Sequence, residues 1–167
     1  VEGKRIVIVG DIKHSRVARS NVKAFSALGA KVALVAPPTL LPSSIDNWPV
    51  DVIEDFDVAI KEADVLYLLR MQLERQEESL VPSLREYTNF YGLTLDRSQK
   101  LQKSSVIMHP GPMNRGVEIT GDVPDLPNAL ITNQVGNGVI VRMAVLYHLL
   151  GSGVALSGLH SEGEEDG

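Results

Sequence analysis

Short apolar runs alternate along the chain with amphipathic stretches, a pattern typical of an α/β domain. The runs are continuous rather than alternating, as expected for strands that are buried on both faces of a parallel sheet. Six strands are predicted, at residues 6–9, 31–36, 51–53, 65–69, 105–108 and 129–132. Helices are predicted at residues 16–28, 56–63, 82–91, 93–101 and 138–150. The order predicts a three-layer, Rossmann-like parallel sheet with helices on both faces and right-handed crossovers.

The last predicted helix differs from the others because it is apolar almost all round. Its sequence VIVRMAVLYHLL has Arg142 and His148 as its only strongly polar members. A helix of this kind is buried on most sides. Two interpretations remain open at this point. The helix is buried in the second layer of its own domain, or part of its apolar surface meets another domain or chain.

Charge and composition narrow the classes of function. The chain has 167 residues and a net charge of −5, but four acids lie in the last six residues, which leaves about −1 for the rest. A near-neutral body argues against nucleic-acid binding, which needs a broad positive surface. One domain is predicted over residues 1–150. Residues 151–167 are rich in Gly and Ser and then acidic, which predicts a disordered tail.

Cysteine and histidine usage argues against metal and redox chemistry. The chain has no cysteine, so disulfides and thiolate metal sites are excluded, and a cytoplasmic location is expected. The four histidines show no metal-ligand spacing such as HExxH, so no metal is expected. No secretory leader and no membrane span are predicted, since no apolar stretch approaches the length that a bilayer requires.

Three of the predicted strands end in a polar, cationic or kinked tip. The segments are IVIVGDIKHSR at residues 6–16, VLYLLRMQLER at 65–75 and VIMHPGPMNRG at 106–116. In an open α/β sheet, ligands bind beyond the carboxyl ends of the strands. The first two tips offer Lys13, Arg16, Arg70, Gln72 and Arg75, but no acid–base dyad. This set suits a small molecule that carries several carboxylates or phosphates.

The first tip also invites a nucleotide-binding interpretation, which its details disfavour. GDIKHSR supplies one glycine rather than GxGxxG, the second strand ends without an acid for a ribose hydroxyl, and no P-loop motif is present. What remains is a helix N-terminus beside Lys13 and Arg16, which favours an anion. The alternative is that these two cations form surface pairs with Asp11 or Glu2.

The other two tips carry further candidates. Arg70 and Glu74 are four residues apart, so Glu74 could hold the Arg70 guanidinium in one rotamer, although an ordinary solvated pair is the alternative. In the segment His109 to Pro112, two prolines leave backbone carbonyls free to accept hydrogen bonds from a ligand amide. The Gly111–Pro112 bond is predicted to be cis. His109 is expected to be packed and hydrogen-bonded rather than catalytic.

Four motifs together resemble one enzyme family. GDIKHSRVARSN, LLRMQLER, HPGPMNRG and NQVGNGVIVRMAVL occur in the order and spacing of the carboxyl-terminal half of aspartate carbamoyltransferases. The resemblance extends from about Gly3 to Leu150. The sister family of ornithine carbamoyltransferases is similar in fold but has a cysteine in the HPGP position, and this chain has none.

The resemblance implies a role for each candidate residue. Arg16 would hold the aspartate α-carboxylate and Arg70 the β-carboxylate, with help from Gln72. The carbonyls of Pro110 and Gly111, with the turn at Pro112, would accept from the carbamoyl amide. The supporting residues would be Lys13, Glu74, which orients Arg70, and Arg75, which pairs with another domain on closure. No protein nucleophile, cofactor or metal is implied.

The resemblance also implies a reaction and partners. Carbamoyl phosphate would donate its carbamoyl group to the amine of L-aspartate in pyrimidine biosynthesis, in an enzyme expected to be a homotrimer. The amino-terminal carbamoyl-phosphate domain of the family is expected to be absent from these residues, so the chain alone is expected to be inactive. The alternative is a non-catalytic binding or assembly module with the same fold.

Overall fold

The computed structural model describes residues 1–71 and 83–151. Residues 1–131 form one compact unit, whose centre is a parallel five-stranded sheet in the order β3-β2-β1-β4-β5. The strands are β1 (Arg5–Val9), β2 (Lys31–Val35), β3 (Asp51–Val52), β4 (Val65–Leu68) and β5 (Val106–Met108). In the central register, Val7 lies opposite Ala33 on one side and Leu66 on the other.

Among the described residues of this unit, four α-helices lie between the strands. They are α1 (Arg16–Ala27), α2 (Phe56–Ala59), α3 (Leu84–Tyr91) and α4 (Leu95–Ser98). Each begins after a residue whose side-chain oxygen accepts from a free backbone N–H of the first turn, as N-caps do. The caps are Ser15, Asp55, Ser83 and Thr94. At the other end of α1, Gly29 has a φ of 78°, the left-handed conformation that ends a helix.

Alternate side chains of β1, β2, β4 and β5 enter two separate cores. Val7 and Val9 of β1 pack on one face of the sheet with Phe56 and Ala59 of α2. Ile6 and Ile8 pack on the opposite face, with side chains of α1 and α3 that include Val22 and Tyr87. The sheet therefore has helices on both faces, which confirms the predicted three-layer α/β fold.

The predicted strand at residues 129–132 is wrong. Of these residues only Ala129 makes a bridge, to Ile107, and a helix, α5 (Ile131–Leu146), begins two residues later. It starts seven residues before the predicted position at Gly138. Ile131 and Thr132 are β-branched and favour strands, but that preference is weak and context overrides it.

Three other predicted helices are shorter as α-helices in the structure. The helix predicted over residues 56–63 is α-helical only to Ala59 and continues as a 3-10 turn at Ile60–Glu62. The helix predicted over residues 93–101 is reduced to α4, because Leu93 is extended and exchanges backbone hydrogen bonds with Glu118 and Thr120. The helix predicted from residue 82 begins at Leu84, after the Ser83 cap. The tail predicted beyond Gly151 lies outside the described residues.

The second compact unit begins at Thr132 and holds most of α5, which continues into a π-helical turn at Tyr147–Gly151. Considered by itself, this helix carries large exposed apolar side chains, among them Ile140, Met143 and Leu150. Among the described residues, no helix is both long enough and apolar enough to span a membrane.

Candidate functional site

The strand order places the three predicted tips side by side. β1 lies between β2 and β4, and β5 is the next strand beyond β4. The chain runs outward from β1 to β2 and β3, then returns to the other side of β1 at β4. A crevice forms at such a reversal, beyond the carboxyl ends of the two central strands, and ligands bind there in folds of this kind. Arg16 follows β1, Arg70 follows β4, and the His109 turn follows β5.

The first tip turns sharply at Gly10, directly after β1. Its φ of 126° is strained for any other residue, and an added Cβ would lie 3.0 Å from the Tyr87 hydroxyl and 3.2 Å from the Leu69 Cβ. The backbone N–H of Gly10 donates to the Val35 carbonyl at 3.0 Å, which holds the turn against β2. Glycine at this position therefore allows the chain to leave β1 close to the end of β4.

Asp11 and His14 organise the rest of the first tip. Asp11 is fully buried and accepts from the backbone N–H of His14, while its Oδ1 lies 2.9 Å from the His14 Nδ1. The alternative in which Asp11 or Glu2 pairs with Lys13 or Arg16 is wrong. Within residues 1–71 and 83–151, neither cation has an ion-pair partner, and both are exposed.

The second tip begins where Leu69 donates its backbone N–H to the Val9 carbonyl at 2.8 Å. Arg70 follows and is half-buried between two fully buried neighbours, Leu69 and Met71. The backbone of Arg70 is therefore held at the carboxyl edge of the sheet, next to the end of β1. The other candidates of this tip, Gln72, Glu74 and Arg75, lie outside the described residues, so the Arg70–Glu74 pair stays a prediction.

The third tip contains the predicted cis bond, between Gly111 and Pro112. His109 is completely buried and hydrogen-bonded on both ring nitrogens, as expected. Its Nδ1 accepts the Gly111 backbone N–H at 2.9 Å, and its Nε2 lies 3.1 Å from the Glu118 Oε1. Pro110 and Gly111 are half-buried and Pro112 is exposed, so the turn lies at the surface above a buried histidine.

Glu118 is the residue of this site that the sequence analysis missed. It is only 2% exposed, and its Oε1 also accepts the Asn114 backbone N–H at 2.7 Å. The Asn114 side-chain amide in turn donates to the Met71 carbonyl at 2.9 Å. The only local signal is a single acid before Ile119 in a Pro/Gly loop, which is too common to indicate a buried carboxylate.

The base of the site is acidic and its rim is basic. Burial raises the pKa of the Tyr87 hydroxyl far above its usual value, and the charges of Glu118 and Asp11 raise it further. Tyr87 is therefore a neutral side chain beneath the tips, whereas Lys13 and Arg16 offer positive charge at the surface. Among the described residues, no group of three His, Cys, Asp or Glu side chains is arranged to hold a metal ion.

This arrangement can bind an anion that also carries an amide. Two arginines follow neighbouring strands, and a guanidinium can take a carboxylate through two parallel hydrogen bonds. The adjacent turn presents the carbonyls of Pro110 and Gly111 near the surface. Guanidinium groups and backbone carbonyls of this kind are suited to orienting small molecules that carry carboxylate and amide groups.

Carbamoyltransferases are similar to this chain in sequence. The model of the family "aspartate/ornithine carbamoyltransferase, Asp/Orn binding domain" matches residues 2–149. The aspartate carbamoyltransferase catalytic subunit of Thermobifida fusca (strain YX) is 53% identical over 162 residues, which are 97% of this chain and 52% of that protein. The chain spans about half the length of the curated relatives it matches.

Solved structures of the same enzymes share the fold. Ornithine carbamoyltransferase from Pyrococcus furiosus superposes with a TM-score of 0.77 at 27% identity, over 90% of this chain and 51% of that one. Aspartate transcarbamoylase from Trypanosoma cruzi, in complex with aspartate and phosphate, superposes with a TM-score of 0.68 at 27% identity. The match covers 87% of this chain and 47% of that one. By its sequence and its fold, this chain belongs to the aspartate/ornithine carbamoyltransferase family, as the domain that binds aspartate or ornithine.

Proposed function

We propose that the protein containing this chain transfers the carbamoyl group of carbamoyl phosphate to the amine of L-aspartate, the reaction that serves pyrimidine biosynthesis. The observation that carries this proposal is the adjacency of the three tips at the reversal of strand order. In support of the proposal, Arg16, Arg70 and the Pro110–Gly111 turn each follow the carboxyl end of one of three neighbouring strands. Membership in the family supports the same reaction.

Aspartate would be held by its two carboxylates. Arg16 takes the α-carboxylate at the start of α1, where free backbone N–H groups add to the attraction for an anion. Arg70 takes the β-carboxylate, assisted by Gln72 and oriented by Glu74. Lys13 adds positive charge on the rim, and Arg75 pairs with another domain when the site closes. Gln72, Glu74 and Arg75 lie outside the described residues, so their roles rest on the family resemblance alone.

Carbamoyl phosphate would be recognised by the third tip. The carbonyls of Pro110 and Gly111 accept hydrogen bonds from the carbamoyl amide, and Pro112 keeps the turn in shape. The aspartate amine forms a bond to the carbamoyl carbon, the bond from that carbon to the phosphate oxygen breaks, and the amine proton leaves with phosphate. The protein contributes proximity, orientation and electrostatic stabilisation rather than a nucleophile, so no cofactor is proposed.

The choice of aspartate over ornithine is supported by the charge of the site. Ornithine has one carboxylate and reacts through its side-chain amine, so a pair of arginines suits a dicarboxylate better. The curated relatives described as aspartate carbamoyltransferase catalytic subunits share more than half of their aligned residues with this chain. A structural neighbour from Trypanosoma cruzi is described as a complex with aspartate and phosphate.

We further propose that catalysis needs a carbamoyl-phosphate domain that precedes these residues and that the enzyme is a homotrimer in the cytoplasm. The supporting observation is that the relatives are about twice as long as this chain. The exposed apolar side chains of α5 are suited to contact with another domain.

The test is a carbamoyl-transfer assay of the full-length protein with aspartate or ornithine as the acceptor. We expect carbamoyl-aspartate and little carbamoyl-ornithine, and no turnover by residues 1–167 alone. Preference for ornithine would overturn the choice of substrate. Absence of turnover with either acceptor would favour the non-catalytic binding module.

A further inference from the structure

The hydrogen bonds of His109 determine which of its nitrogens carries the proton. The Gly111 backbone N–H can only donate, so the Nδ1 that it meets at 2.9 Å must be the acceptor. The ring proton is then on Nε2, which donates to the Glu118 Oε1 at 3.1 Å. His109 and Glu118 are both buried, with exposed fractions of 0% and 2%. The Gly111 N–H therefore fixes the tautomer, and Glu118 stabilises it by accepting from the other ring nitrogen.

The bond to the Gly111 N–H also orients the carbonyl of the preceding residue, Pro110. The Gly111 N–H and the Pro110 C=O belong to the same peptide group, which is trans. In a planar trans peptide the N–H and C=O point in opposite directions. Because the N–H is held against the buried ring of His109, the Pro110 carbonyl is directed away from that ring. One side-chain nitrogen thus sets the direction of a carbonyl in the surface turn.

The same carboxylate holds the far side of the turn. The Glu118 Oε1 accepts from the backbone of Asn114 at 2.7 Å as well as from His109. Both flanks of the Pro110–Gly111–Pro112 segment are therefore tied to one buried oxygen. A turn fixed at both flanks loses little freedom when a ligand binds, which is the condition for a pre-organised site.

We propose that His109 is a positioning residue that directs the Pro110 carbonyl toward the carbamoyl amide of the donor substrate, with Glu118 holding the required tautomer. The inference rests on the proposed function and adds to it a buried pair that makes no contact with substrate. His109 neither transfers a proton nor binds the donor. It acts through the Gly111 N–H and the peptide plane that this N–H shares with the carbonyl.

Two substitutions in the full-length protein separate the two ring nitrogens. In His109→Asn, the side-chain oxygen lies near the position of Nδ1 and can still accept the Gly111 N–H. In His109→Gln, the amide reaches the position of Nε2 and can still donate to Glu118, but the Gly111 N–H loses its acceptor. The matched control is Ser105→Ala, which removes a buried 2.6 Å hydrogen bond to the Ala63 carbonyl at the other end of β5.

We expect His109→Gln to raise the KM for carbamoyl phosphate roughly tenfold more than His109→Asn does, the cost of one misdirected hydrogen bond in the site. Ser105→Ala should lower the Tm about as much as the His109 variants do, and it should leave the KM for carbamoyl phosphate near that of the wild type. Equal kinetic losses in the two His109 variants, with an active wild type, would overturn the inference. An inactive wild type would overturn the proposed function instead.

A second measurement needs no activity. In protein labelled with 15N, a coupling through the hydrogen bond between the Gly111 amide nitrogen and the His109 Nδ1 is expected in the wild type. It should be absent in His109→Gln. A proton found on Nδ1 of the wild type would overturn the inference whatever the kinetic results.

Discussion

The side-chain amide of Asn114 donates a hydrogen bond to the backbone carbonyl of Met71, with 2.9 Å between the two atoms. These residues are 43 positions apart in the chain. The bond joins the turn that follows β5 to the segment that follows β4. In the proposed reaction, the first of these tips binds the carbamoyl donor and the second, through Arg70, binds the acceptor. Asn114 therefore links the sites of the two substrates.

Asn114→Asp should weaken this link without changing the size of the side chain. The carboxylate cannot donate to the Met71 carbonyl and places a negative charge beside it. Losing the bond and leaving an unfavourable contact costs about 1–3 kcal/mol, so kcat/KM for aspartate should fall roughly tenfold or more. Steady-state kinetics of the full-length protein are the measurement. Asn89→Asp, at an exposed position of α3, is the control and should behave as the wild type.

Arg70→Ala should raise the KM for aspartate and leave that for carbamoyl phosphate nearly unchanged. Loss of a charge-assisted contact costs about 1.5–3 kcal/mol, a factor of roughly 10 to 150. Arg70→Lys should also bind aspartate poorly, because an ammonium cannot replace the planar fork. Arg85→Ala, on the exposed surface of α3, is the matched control. Aspartate kinetics of Arg70→Ala equal to those of the wild type would refute the role of this arginine.

Tyr87→Phe should be neutral or stabilising near pH 7. The Tyr87 side chain is buried, and its hydroxyl has no hydrogen-bond partner among the described residues, so its removal leaves no group unsatisfied. Equilibrium unfolding in urea measures the change. Tyr147→Phe, at an exposed position, is the control. A loss of stability similar to that of a buried hydrogen bond would show that the Tyr87 hydroxyl has a partner.

Because the pKa of Tyr87 is raised, we expect the protein to lose stability at alkaline pH. Burial raises the pKa of Tyr87 in the folded state above its value of about 10 in the unfolded chain. The folded state then retains its proton where the unfolded state releases it. The contribution of Tyr87 to the free energy of unfolding is therefore fully present below about pH 10 and decreases as the pH rises further. In Tyr87→Phe, the free energy of unfolding should fall less steeply above pH 10 than in the wild type.

Gly92→Ala should destabilise the protein strongly. An added Cβ would lie 2.5 Å from the Thr88 carbonyl oxygen and 2.8 Å from that of Val117, and neither backbone atom can move without shifting α3 or the loop before Glu118. We expect a loss of about 3 kcal/mol or more, within the range of severe overpacking. Gly136→Ala is the control, since nothing lies within 4 Å of its added Cβ in α5, and helix propensity favours alanine. Urea unfolding of both variants provides the test.

Local sequence pattern predicted the five strands of the sheet and the three tips that follow β1, β4 and β5. Continuous apolar runs predict buried parallel strands, and the glycines, prolines and cations that follow them are read without knowledge of distant contacts. For this reason β1, β4 and β5, the packed and hydrogen-bonded His109 and the cis bond before Pro112 were all predicted from local pattern or motif.

Features that depend on residues far apart in the chain could not be predicted in this way. Leu93 is extended because it pairs with Glu118 and Thr120, and this pairing shortens a helix that its own sequence favours. Glu118 is buried because His109 and Asn114 both donate to it, although nothing in its neighbourhood distinguishes it from a surface acid. A hydrogen bond between distant segments stabilises whichever local conformation allows it. Such bonds have no periodicity in the sequence, so only the folded chain reveals them.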